Sequence, residues 1–289
     1  MVRRKRAGMV WRAFVGLLAL GFATAAYIYL TLPDVRILRT QNPQTTAFIE
    51  LRARQAEARG EPVVKNQRWV PYGRISANLK RAVLVAEDSA FWQHDGVDYQ
   101  QLKESMETNL ERMEFARGAS TITQQLAKNL YLSPSKNPMR KLRELLIARR
   151  LEAELSKQRI LELYLNVIEW GNGIYGAEAA ARSYFGKSAG ELTPRESALL
   201  AASIPNTRIF DPGRPSARLV RRQEMVLRRM GNVTPPPIVV DPAPAATPAD
   251  DVLTPAVPAD EGPPTILPGA IVAPAKPGGG KPPGSPPGL

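Results

Sequence analysis

The chain of 289 residues contains no cysteine and a single histidine, His94. The first absence excludes disulfides and thiolate metal sites, and with them thiol redox chemistry. The second excludes a zinc centre built from several His and Cys ligands. Aromatic residues amount to 7%. No internal repeat is visible, and no pair of alternating apolar runs signals a β-hairpin. Acidic charge is short as well: 27 Asp and Glu face 39 Lys and Arg, a net charge of +12. Long apolar runs are missing with one exception, at the N-terminus.

That exception follows Arg3, Arg4, Lys5, Arg6 and Arg12: Ala13 to Leu32 is 20 residues without a charged side chain. At about 1.5 Å per helical residue it spans about 30 Å, the hydrocarbon thickness of a bilayer. The basic cluster before it belongs in the cytoplasm, which puts everything after Leu32 on the outer side of a cell inner membrane. A cleaved signal peptide competes, since Ala23-Thr24-Ala25 offers a small-residue cleavage site. The run continues through Tyr27-Ile28-Tyr29-Leu30 with interfacial aromatics, which favours an uncleaved anchor.

The far end is different. Residues 235–289 hold 17 of the 27 prolines and no periodicity long enough to build a core, so this stretch reads as a disordered tail. With its 5 acidic residues and 2 lysines set aside, residues 1–234 carry +15. On the outer side of a membrane the polyanions are lipid headgroups, pyrophosphates and wall polymers, so the topology argues against nucleic acid. The expected organisation is a cytoplasmic basic segment 1–12, a transmembrane helix 13–32, a connector 33–67 broken by prolines, a mainly α-helical domain 68–234 and the tail. Apolar spacing predicts helices over Ala77 to Gln93, Pro138 to Leu155 and Ser216 to Met230, the last with Arg on its outer face. Thr193-Pro194-Arg195-Glu196 reads as a capping box.

Two blocks exceed what core packing needs. In Glu87-Asp88-Ser89-Ala90-Phe91-Trp92-Gln93-His94-Asp95-Gly96, Glu87 closes the apolar run Ala82 to Ala86. There a carboxylate is partly desolvated and its pKa rises, as suits a general base. A helix-terminal Glu in a local salt bridge is the plainer reading of that residue alone. In Gly118-Ala119-Ser120-Thr121-Ile122-Thr123-Gln124-Gln125-Leu126-Ala127-Lys128-Asn129, Ser120, Gln124 and Lys128 are spaced to share one helix face able to grip sugar or phosphate oxygens. A polar surface helix capped by Ser120 would leave the paired Gln unexplained. Further on, Arg140-Lys141-Leu142-Arg143-Glu144 places Lys141 and Glu144 one turn apart, where a surface ion pair is the bland alternative.

Together these residues closely resemble the motifs of glycosyltransferase family 51, the peptidoglycan polymerases of class A penicillin-binding proteins and of monofunctional transglycosylases. The first block matches Glu-Asp-x-x-Phe-x-x-His-x-Gly at Glu87, Asp88, Phe91, His94 and Gly96. The third matches Arg-Lys-x-x-Glu at Arg140, Lys141 and Glu144. Lys157 with Ile160 to Asn166 resembles the fourth, and Tyr184-Phe185-Gly186-Lys187 with Leu192 to Leu200 the fifth. The resemblance covers Arg68 to Met230, with Lys136 standing where the family usually has Arg.

What the resemblance implies is a lysozyme-like α-helical fold that joins lipid II into glycan strands with inversion and release of undecaprenyl pyrophosphate. Glu87 would be the catalytic base and Glu144 the second catalytic carboxylate. Ser120, Thr121, Gln124, Gln125, Lys128, Asn129, Lys136, Arg140 and Lys141 would bind substrate. Asp88, Phe91, His94, Gly96, Glu162 and Asn166 would support the cleft. No cofactor is required, although a divalent Mg or Mn ion near Glu144 is compatible. Expected partners are lipid II, the growing strand, membrane lipid and other wall-synthesis proteins. The transpeptidase set Ser-x-x-Lys, Ser-x-Asn and Lys-Thr-Gly is absent in order, so a monofunctional enzyme is expected. Glycan cleavage by a related fold is the enzymatic alternative. An inactive scaffold would be expected to have lost Glu87 or Lys141.

Overall fold

The computed structural model describes the backbone of residues 2–112, 120–134 and 137–231, with side chains from Trp11 onward except at 13 and 106–112. Gly118, Ala119, Lys136 and the tail from 235 lie outside these residues. The chain divides after Pro237 into two units, of which the first holds everything described here.

The architecture is mainly helical. Helices α1 (Val2–Leu30), α2 (Ala47–Ala58), α3 (Ala77–Glu87), α4 (Tyr99–Arg112) and α5 (Ile122–Tyr131) precede α6 (Pro138–Glu154) and α7 (Lys157–Val167). Then come α8 (Ala177–Phe185), α9 (Pro194–Ser203) and α10 (Ala217–Met230). Local chemistry sets many of their starts. Thr46, Ser76, Thr121, Asn137, Ser156, Thr193 and Ser216 each accept a backbone N–H of the first turn, satisfying donors that the helix itself cannot. Thr193 and Glu196 form the expected capping box, and proline opens both α6 and α9.

Helix α5 is the centre of the domain and packs against α6 and α7, while α3 packs against α9 and α10. Leu79, Val83, Phe91, Ile122, Leu126, Ile147, Leu151, Ile160, Leu161, Trp170 and Leu200 are fully buried among them. Burial of each such side chain contributes about 1.5–3 kcal/mol, so the helices that carry the polar blocks are held by the core rather than by their own propensity.

Three local features depart from the sequence reading. The run expected to be helical from Ala77 to Gln93 stops at Glu87, because Asp88 takes an extended φ of −163° and its carboxylate is drawn to other partners. A short 3₁₀ turn, Phe91–Gln93, follows. A small sheet is present: β2 (Glu169–Gly171) pairs antiparallel with β3 (Ile174–Tyr175), and β1 (Asn66–Gln67) joins β3 in parallel. Asn172-Gly173, with Gly173 at φ +70°, is the turn pair that joins β2 to β3; the strands were too short to show alternation. Between residues 33 and 67, α2 is tied to β2 by Arg52 and Glu169, 2.7 Å apart.

The uncharged run from Ala13 lies within the 29-residue helix α1. Among the residues whose side chains are described, no helix is long and apolar enough to cross a membrane. Within α1 those residues begin at Trp11 and omit position 13. Phe14, Leu17, Leu18, Leu20, Phe22, Tyr27, Tyr29 and Leu30 are all exposed.

Candidate functional site

The last residue of α3 and the first turns of α5 and α6 converge. Glu87 is half-buried, and Gln125 Nε2 donates to its Oε2 at 2.8 Å. Gln125 is fixed in turn, because the hydroxyl of fully buried Tyr164 donates to its Oε1 at 2.9 Å. Burial pushes the Glu87 carboxyl above the ordinary value of 4.5. The Gln125 hydrogen bond and the charges of Arg222 and Lys128 pull the other way, and the neighbouring Asp88 adds to the rise.

Facing it is a knot of cations around the second glutamate. Glu144 is 3% exposed and takes Arg140 Nη1 on Oε2 and Lys141 Nζ on Oε1, each at 2.5 Å. Lys141 Nζ also donates to Gln124 Oε1 at 2.9 Å and to Ser120 Oγ at 3.0 Å. The bland surface pair is thus excluded for this carboxylate. Lys128 is near enough to feel the charges of both glutamates. Burial and the like charges of Arg140 and Lys141 lower its pKa, while Glu144 and Glu87 raise it. Three cations around one carboxylate leave an excess of positive charge in a partly buried cleft, where it is worth more than in water. Arg140 and Lys141 each take one oxygen of Glu144, and among the described residues no group of three His, Cys, Asp or Glu is placed to hold a metal ion.

The supporting residues form a frame behind this cleft. Buried Asp88 receives the backbone N–H of Ile122 at 2.9 Å and bonds His94 Nε2 at 2.9 Å, so it ties the end of α3 to the start of α5. Gly96 sits at φ +84°, a conformation that favours glycine, and its carbonyl accepts from Thr121 Oγ1 (2.7 Å) and Gln124 Nε2 (3.1 Å). Lys157 Nζ donates to the His94 carbonyl and to Glu152, and lies 4.5 Å from the Phe91 ring centroid. Glu162 and Asn166 brace the segment leading into α3, since Glu162 accepts from Trp69 Nε1 and Tyr72 N, and Asn166 bonds both N–H and C=O of Val70. Asn129 is buried on α5 beyond Lys128.

Two local assignments change. The cap of α5 is Thr121, so Ser120 lies just outside the helix and reaches the cleft from the preceding loop. Arg222, expected on the outer face of α10, is half-buried: its Nε donates to Ala202 O at 3.1 Å, and its charge acts on Glu87. Tyr164 and Arg222 were not picked out from sequence. A tyrosine in an apolar helix reads as core, and the only signal was that a buried phenol needs a hydrogen-bond partner.

With this geometry in hand, comparison with known proteins adds an independent finding. A family model described as Transglycosylase matches residues 55–231. The chain is 41% identical over 226 residues to the biosynthetic peptidoglycan transglycosylase of Nitrosospira multiformis, covering 78% of this chain and 97% of that one. It is 50% identical over 193 residues to the protein so named in Nitrosomonas eutropha, covering 66% and 79%, and 47% identical over 189 residues to that of Dechloromonas aromatica, covering 65% and 82%.

Proposed function

The chain belongs to the transglycosylase family and is a peptidoglycan glycosyltransferase of cell-wall biosynthesis; from that premise we propose that it polymerises lipid II by an inverting displacement that releases undecaprenyl pyrophosphate. The observation that carries the reading is the contrast between the two glutamates: Glu87 is partly desolvated beside a single amide, and Glu144 is held between Arg140 and Lys141.

Glu87 removes the proton from the 4-hydroxyl of the acceptor sugar as that oxygen attacks the anomeric carbon of the growing strand. The C–O bond to the pyrophosphate breaks on the opposite face, and the proton stays on Glu87 until solvent takes it. A raised pKa makes Glu87 a stronger base once ionised, and Gln125 holds its carboxylate in place. The departing pyrophosphate is already anionic, so it needs charge stabilisation rather than a general acid. Lys128, Arg140 and Lys141 supply that charge, and Lys136 joins them by sequence. Glu144 keeps two of these cations fixed before substrate arrives, which lowers the reorganisation the reaction must drive. Ser120 and Gln125, only partly buried, face the sugar and phosphate oxygens, while Thr121, Gln124 and Asn129, expected from the sequence to bind substrate, are buried and hold the wall from behind.

A substrate with a polyprenyl tail stays in the bilayer, so the enzyme belongs on the outer side of the inner membrane. The uncharged run within α1 is the proposed single-pass anchor, and its exposed apolar side chains suit lipid better than water. The chain is proposed to act without transpeptidase activity. The test is polymerisation of labelled lipid II by the detergent-solubilised protein beside Glu87→Gln, with products sized on a gel. Long strands from the wild type and none from the variant are expected. Shortening of preformed glycan, or no polymer from the folded wild type, would overturn the proposal.

A further inference from the structure

A concave site of about 720 Å³ lies outside the cleft, between the segment that leads into α3 and the exposed side of α8. Arg68, Trp69, Arg74, Glu178 and Arg182 are among the residues that line it. Ligand pockets span about 300–1,000 Å³, so it has room for a peptide end. Its charge is unbalanced. Glu178 is the one carboxylate of the lining, and both its oxygens are taken: Oε1 accepts from Arg182 Nε and Oε2 from Ala189 N, each at 2.7 Å. The side chains of Arg68 and Arg74 are exposed and make no hydrogen bond or ion pair with a described residue, and Arg182 commits only its Nε.

The walls around these cations are stitched together. Ser76, the cap of α3, donates its N–H to Ala189 O at 3.0 Å and its hydroxyl to Leu192 O at 2.9 Å, and Asn78 Nδ2 donates to the same Leu192 carbonyl at 3.1 Å. Gly190 packs so closely on the facing loop that a Cβ there would lie 3.0 Å from Arg74 O. Trp69 is pinned by the bond from its Nε1 to Glu162 at 3.2 Å. The free guanidiniums thus project from a frame that needs no rearrangement to receive an anion, which lowers the cost of binding one.

We propose that this pocket binds the carboxylates of a peptidoglycan stem peptide, with Arg68 and Arg74 as the forks that take them and Trp69 as an apolar wall beside the peptide. A planar guanidinium matches the two oxygens of a carboxylate in parallel bonds. The pocket contains none of the cations assigned to the leaving pyrophosphate, Lys128, Arg140 and Lys141. Helix α3 links it to the cleft: Ala77 lines the pocket, and Glu87 ends the helix ten residues further on, about 15 Å away. An extended peptide of about five residues spans about 17 Å, so a peptide carried by a sugar at Glu87 is long enough to reach. The inference rests on the proposed reaction for its choice of ligand, and it concerns a part of that ligand other than the sugars and the pyrophosphate.

Fluorescence anisotropy of a labelled, lipid-free disaccharide-peptide, added to the full chain in detergent, reads the pocket without any reaction. Arg68→Ala/Arg74→Ala should raise the Kd about tenfold, the scale of two lost pairs at a partly exposed site. Amidating the peptide carboxylates should weaken binding to the wild type as much, and Arg68→Lys/Arg74→Lys, which keeps the charge without the fork, should fall between. Polymerisation then separates two sources of the carboxylate, with the lipid-linked disaccharide that lacks the peptide as the control for folding. A KM raised by the double alanine variant for lipid II but not for the peptide-free lipid assigns the carboxylate to the incoming substrate; an unchanged KM with binding lost assigns it to strand already made. No binding by the wild type, equal Kd for amidated and free peptide, a double variant that binds as the wild type does, or a KM raised equally for both lipids would overturn the proposal. A wild type that binds the peptide but makes no polymer from either lipid would instead overturn the proposed reaction.

Discussion

Replacing Glu87 by glutamine separates catalytic worth from structural cost. A general base contributes about 10²- to 10⁴-fold to rate, so polymerisation by Glu87→Gln should fall by at least that lower bound. Stability should move in the opposite direction. The carboxyl is raised above 4.5 because burial costs the ionised form more than Gln125, Arg222 and Lys128 repay. At neutral pH the folded protein carries that cost and the unfolded chain does not. Each pKa unit of the rise corresponds to about 1.4 kcal/mol, and for a domain of this size about 1 kcal/mol moves Tm by 2–4 °C. Glutamine removes the charge while its Oε1 can still accept from Gln125 Nε2, so no buried donor is orphaned. Glu87→Gln should therefore melt at or above the wild-type Tm at pH 8. The gain should shrink as pH falls through the raised value and vanish below 4.5, where Glu87 is protonated in both states. Calorimetry across that range in one detergent provides the assay. A variant that melts several degrees lower at pH 8, or whose gain does not change with pH, would refute the account of Glu87 as a desolvated carboxylate.

Lys141→Ala removes a cation bonded to Ser120, Gln124 and Glu144, and its single-turnover rate should drop about 10²- to 10³-fold; activity within about tenfold of wild type would remove Lys141 from the leaving-group site. Tyr164→Phe deletes the hydroxyl that holds Gln125, costing about 1 kcal/mol. With Gln125 looser, the bond that favours the Glu87 carboxylate weakens, so the acidic limb of the pH–rate profile should move to higher pH, and a limb that stays put or moves down would contradict the relay. Gly96→Ala forces a side chain onto φ +84° and brings Cβ to 3.1 Å from Glu152 Cγ. It should lower stability by about 1–2 kcal/mol and disturb the carbonyl that aligns Thr121 and Gln124, an effect that thermal melts would detect.

The motif residues were legible because their chemistry is local. Glu87 after an apolar run, Gln124 and Lys128 one turn apart, and Arg140, Lys141 and Glu144 within one turn of each other are patterns that a linear reading can hold. What was not legible is which group each of them touches. Gln125 reaches Glu87 across 38 positions, Tyr164 reaches Gln125 across 39, and Arg222 approaches from a helix that its own charge pattern assigns to solvent. The end of α3 was missed for the same reason: nothing between Ala77 and Gln93 announces a break, and Asp88 leaves the helix because Ile122 N–H, 34 positions away, binds its carboxylate. The proposed reaction rests on these pairings. Glu87 and Glu144 are the same residue type, each ending up in the domain beside a cation-rich helix. One has each oxygen bonded to a cation, Arg140 on Oε2 and Lys141 on Oε1. The other keeps an oxygen that no described residue occupies, and desolvation makes it a stronger base. In the proposed reaction the division of labour between the two glutamates follows from these partners.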